Sequence, residues 1–135
     1  MNLPVSDIRT AVHTALSASC TFDVVDIPTP DLTAYVVISA IRLSEDTAQS
    51  YPIFNAYVTI DVVKKFQKTG NRSDCDAQAV LVDTAMVGSV TGGITVTGWD
   101  RVSMWLDSQD ENLSNDADGK THRIQMSYFI KLCKS

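Results

Sequence analysis

Apolar residues recur at three- and four-residue intervals near the start of the chain: Val5, Ile8, Val12 and Ala15 or Leu16 fall on one side of a helix. Asn2 can cap its free amides, and Pro4 fits the first turn, where a missing N–H costs nothing. The helix fades across 17–19, and Asp26-Ile27-Pro28-Thr29-Pro30 cannot be helical, because each proline disfavours that geometry in the residue before it. Residues 33–41, TAYVVISAI, are β-branched and aromatic enough for a strand buried on both faces. A polar turn over 42–52 follows. The run 53–66 then alternates: Phe54, Ala56, Val58, Ile60 and Val62 on one face, Asn55, Tyr57, Thr59, Asp61 and Val63 on the other.

After Thr69-Gly70-Asn71, Ser73 stands where an N-cap belongs, with Asp76 three residues on. The second helix reads as packing through Ala77, Val80, Leu81, Thr84 and Val87 and stopping at Gly88. Residues 94–106 read as a strand with a bulge at Gly98. In 121–132, Ile124, Met126, Tyr128, Ile130 and Leu132 alternate with Arg123, Gln125, Ser127, Phe129 and Lys131. The expected architecture is therefore α+β: one domain over 1–135, a mostly antiparallel four-stranded sheet, two helices on one face, order α-β-β-α-β-β.

The length, 135 residues, suits a single core, and 44% hydrophobic with 20% charged residues is a globular composition rather than a disordered or fibrous one. A net charge of -5 and a pI near 4.7 argue against a protein that grips DNA by neutralising phosphates. No apolar run is long enough to span a bilayer, and MNLPVSDIRT lacks the basic and apolar regions of an export signal, so a soluble, unexported chain is expected. Cys20, Cys75 and Cys133 are odd in number and lack C-x-x-C spacing, which suits thiols in a reducing compartment.

Catalytic and ligand motifs fail at identifiable positions. Gly119-Lys120-Thr121 ends like a P-loop, but Ser114 stands where its first glycine is required. The stretch 114–125 has Ser114 and Gln125 where a calcium loop needs its first ligand and a bidentate Glu. His13 and His122 have no partners at triad or metal spacing, and Ser89 is not framed as a nucleophile elbow. No catalytic residue, cofactor or metal site is expected. A carboxylate-dependent nuclease resting on Asp107, Asp110, Asp116 and Asp118 is disfavoured, because a Ser-, Asn- and Gly-rich loop would not hold carboxylates rigidly.

What the pattern favours is contact. A sheet covered on one face leaves the other open, and Tyr57, Val63 and Phe129 are apolar positions expected to point outward. Asp107, Asp110, Glu111, Asp116 and Asp118 read as a solvated acidic connection between strands, a second candidate interaction region. The competing reading is a small-ligand module with a pocket near Tyr35, Trp99 and Trp105.

The order of these segments resembles the tail-completion or tail-terminator proteins of tailed bacteriophages, the minor tail protein U type and its relatives. The resemblance runs through AYVVIS, FNAYVTIDVV, RSDCDAQAVLVD and, most specifically, DGKTHRIQMSYFI, and the chain departs from the common pattern in the acidic stretch 107–118. It implies a virion structural protein that waits in the host cytoplasm before assembly. It also implies a homo-oligomeric ring, hexameric in the first instance, at the head-proximal end of the tail. The expected neighbours are tail-tube and neck proteins. It implies no catalysis, no cofactor, no membrane and no sequence-specific nucleic-acid binding, with DNA passing through the lumen. A head-tail stopper or adaptor ring is the nearest alternative.

Overall fold

The computed structural model describes residues 4–25, 33–45, 53–66, 73–88, 94–116 and 119–134. Asn2, the Pro28–Pro30 segment, Thr69-Gly70-Asn71 and Asp118 lie outside them. Helix α1 is Val5–Ser19. The carbonyl of Pro4 accepts its first hydrogen bond, from the Ile8 N–H at 2.8 Å, and Asp7 places negative charge in the first turn, where the helix dipole favours it. Ile8, Val12 and Leu16 are its buried stripe.

The sheet has five strands, β1 (Asp23–Val25), β2 (Ala34–Glu45), β3 (Ile53–Phe66), β4 (Trp99–Asp116) and β5 (Gly119–Lys134), in the spatial order β1-β2-β3-β5-β4. β1 runs parallel to β2 and every other pair is antiparallel, so the sheet is mixed. This corrects the expected four-stranded sheet and its element order. The added strand, Asp-Val-Val, is too short to carry an alternation signal of its own.

β4 corrects a second expectation. The anticipated strand over 94–106 is displaced toward the C-terminus: Gly98 takes φ +84° in a turn closed by the Trp99 N–H on the Val96 carbonyl at 3.1 Å, and the strand starts at Trp99. It continues through the acidic stretch, paired with β5 from Trp99↔Lys134 to Asp116↔Gly119. Residues 107–116 are therefore strand and not a loop. Polar residues have weak strand preference, but pairing to a well-patterned neighbour overrides it, most easily on an edge whose side chains stay wet.

Helix α2, Ser73–Met86, is turned the other way round from the expected stripe. Cys75, Gln78, Ala79, Val82, Ala85 and Met86 are buried, whereas Val80 is 65% exposed and Ala77 and Thr84 are also exposed. Both helices pack on the sheet face formed by Val36, Ile38, Phe54, Ala56, Val58, Ile60, Val62 and the even-numbered residues 124–132. Gln78 ties the layers together. Its Oε1 accepts from the Thr21 and Phe22 N–H groups at 3.1 and 3.3 Å, and its Nε2 donates to Thr21 Oγ1. Tyr128 does the same under α2, its hydroxyl donating to Asp83 Oδ1 at 2.9 Å.

Candidate functional site

The face of the sheet away from the helices is built by strand register. Arg42 on β2 pairs with Tyr57 on β3, Tyr57 with Phe129 on β5, and Phe129 with Trp105 on β4. Cross-strand neighbours on one face lie close enough for their side chains to touch, and here they form a continuous row. The Arg42 guanidinium sits 4.8 Å from the Tyr57 ring centre. Tyr57 meets Phe129 edge-on at 5.3 Å, and Phe129 stacks on Trp105 at 4.4 Å and 26°. Trp105 ends the row 49% exposed. Beside it runs a hydroxyl row, with Thr59 Oγ1 3.2 Å from Ser127 Oγ.

β4 borders the sheet and pairs only with β5 among the described residues. Besides Trp105, it leaves Val102, Leu106 and Leu113 substantially exposed. Its register shifts between Arg101 and Ser103 and again between Leu106 and Ser108, and each shift changes which residues face outward.

The expected interface residues divide accordingly. Tyr57 and Phe129 are half-buried members of the aromatic row. Val63 lies on the same face but is 1% exposed, packed with Tyr35, Val37 and Val25, which corrects its reading as an outward group. Asp107 and Asp110 are exposed on β4, while Glu111, the next residue, falls on the helix side with its Oε1 2.9 Å from His122 Nε2. Asp116 belongs to β4 and Asp118 lies outside the described residues. Strand alternation thus separates carboxylates that the sequence groups together. Trp105, expected at a ligand pocket, stands on the border strand instead, and the sequence carries no sign of the facing of Val102 and Arg42, because the bulges that set it leave no trace in a period-two pattern.

The ligand pocket expected near Tyr35, Trp99 and Trp105 does not form, since these residues occupy three different places. Trp99 is in the main core, edge-on to Phe54 at 5.5 Å; Tyr35 is in the smaller cluster under the opposite face; Trp105 is on the border strand.

Burial makes two of the thiols and one phenol poor nucleophiles. Cys75 is fully buried, and desolvation pushes its thiol up to about 11, further from the thiolate that nucleophilic chemistry needs; Cys20 is raised to about 11 by the same cause. Burial, reinforced by the hydrogen bond to Asp83, drives the Tyr128 phenol well above its ordinary range. His122 is fully buried, its Nε2 on Glu111 and its Nδ1 without a hydrogen-bond partner. His13 Nδ1 lies 3.4 Å from Ser17 Oγ, one turn along α1. Among the described residues no group of three or more His, Cys, Asp or Glu side chains could hold a metal ion, and no helix is long and apolar enough to cross a membrane.

No family model matches the sequence, and no curated protein matches it. The three-dimensional comparison gives a different result: a chain from the virion of a native gene transfer agent particle superposes with a TM-score of 0.64, covering 96% of this chain and 91% of that chain. The two chains share a fold. Their sequences are 18% identical, so the likeness is one of fold.

Proposed function

We propose that this chain is a structural subunit of a tailed, phage-like particle, a tail terminator that forms a ring at the head-proximal end of the tail. The observation that carries the reading is the likeness to a gene-transfer-agent virion chain over nearly the full length of both. The border strand supports it independently. Among the described residues β4 pairs with another strand on one side only, and with Val102 and Trp105 exposed it is suited to contact with a neighbour. Identical subunits joined through unlike patches close into a ring when the rotation divides a full turn, and six copies are the proposed number. In such a ring the acidic side chains Asp107 and Asp110 line the passage, where like charge keeps DNA from adhering. Tail-tube and neck proteins are the proposed neighbours.

Native mass spectrometry of the purified chain with negative-stain imaging tests the reading. Ring-shaped oligomers are expected, and Trp105→Ser should shift the population toward monomer. A chain that remains monomeric at its highest attainable concentration, and does not bind purified tails lacking it, overturns the proposal.

A further inference from the structure

On the other side of the sheet, a groove of about 420 Å³ runs between α2 and β4, with Ala79 and Met126 as floor and Val80 and Leu106 as apolar walls. We propose that it is a docking site for a peptide segment of a different protein, one that presents aliphatic side chains flanked by lysine or arginine. Two properties of the groove specify that occupant.

The first is the apolar wall that the fold leaves wet. α2 carries apolar residues on both sides: Cys75, Ala79, Val82 and Met86 enter the core, and Val80 stands 65% exposed on the outside with Leu106, at 37%, across the groove. Aliphatic side chains of a partner can fill the space between them, as anchors do in helix-in-groove and strand-in-groove complexes.

The second is charge. Asp76 and Asp83 line the groove together with Thr84 and Gln109, with no lysine or arginine among the described residues that line it. α2 has no basic residue, and Asp74 of its first turn is paired with Lys64 of β3, so the charge of the groove rests on Asp76 and Asp83. Opposite charge on the partner steers encounter and fixes orientation. Charge complementarity therefore selects a basic segment of another protein, and a second copy of this chain is the competing occupant that the test separates.

The test uses the intact chain and two synthetic peptides, one alternating leucine with lysine and one alternating leucine with glutamate, titrated while backbone amide shifts are followed by NMR. The leucine–lysine peptide should bind with shifts confined to 76–84, 106–109 and 126, weaken as salt rises, and bind about tenfold less tightly to Val80→Ser or Leu106→Ser, the loss of one aliphatic anchor. Trp105→Ser should leave this affinity unchanged, which separates the groove from the proposed ring contact. Absence of binding, equal binding of the leucine–glutamate peptide, or affinity unaltered in both groove variants overturns the proposal. So does loss of self-association in Val80→Ser, because it would assign the groove to a second copy.

Discussion

Asp61 lies on the open face of β3, 5% exposed, with Oδ1 buried and without a hydrogen-bond partner. Desolvation raises its pKa, opposed by the nearby charge of Arg123 and a hydrogen bond from the Gln125 side chain. A carboxyl that holds its proton more tightly folded than unfolded favours the fold in acid, and that contribution is lost as pH rises through the folded pKa. Asp61→Asn should therefore be more stable than the parent at neutral pH, with the gain shrinking as pH falls through the raised folded pKa toward the ordinary carboxylate range. Urea unfolding across that range checks it, and a pH-independent difference would contradict it. Cys75 offers a second residue-scale outcome: with its thiol fully buried and pushed up to about 11, it should resist a thiol-specific reagent at pH 8 in the native chain and react in urea. Mass spectrometry of labelled peptides reads the site.

Among the elements, β4 owes its starting point to Gly98, whose φ of +84° only glycine adopts without strain, although a Cβ there would have room, 3.8 Å from Lys134 Nζ. Gly98→Ala should destabilise by about 1 kcal/mol through backbone conformation alone, measurable as a lower denaturant midpoint at unchanged slope. The elements differ in how openly the sequence declares them. α1, β3 and β5 are legible because apolar residues recur on one side of each at the period of its element, although the second face of β3 is also closed at Asp61 and Val63. α2 is legible as a helix but not in orientation, since the stripe of Ala77, Val80, Leu81 and Thr84 competes with that of Cys75, Ala79, Val82 and Met86, and only the sheet beneath decides between them. β1 and the distal half of β4 exist through pairing, the one too short and the other too polar to announce itself. The candidate surface follows the same rule. Tyr57 and Phe129 can be placed from alternation, whereas the facing of Trp105 depends on a bulge and the burial of Val63 on Tyr35 and Val37 across the register.

The whole molecule has two unequal borders, a three-residue β1 and an eighteen-residue β4. A long border with exposed Val102, Trp105, Leu106 and Leu113 invites indiscriminate strand addition, and the charges of Asp107 and Asp110 oppose it. The double variant Asp107→Val/Asp110→Val should scatter light and precipitate at concentrations where the parent stays clear, with little change in the unfolding midpoint of the fraction that remains dispersed. The two register shifts in β4 act on the same border in another way. They cut it into unequal runs, 99–101, 103–106 and 108–116, like the notches of a key, and a neighbouring strand that slides by one residue would fall out of step with every run at once. A subunit added along this border, as proposed above, would be held to one longitudinal setting, so that successive additions would repeat the same offset and the same turn.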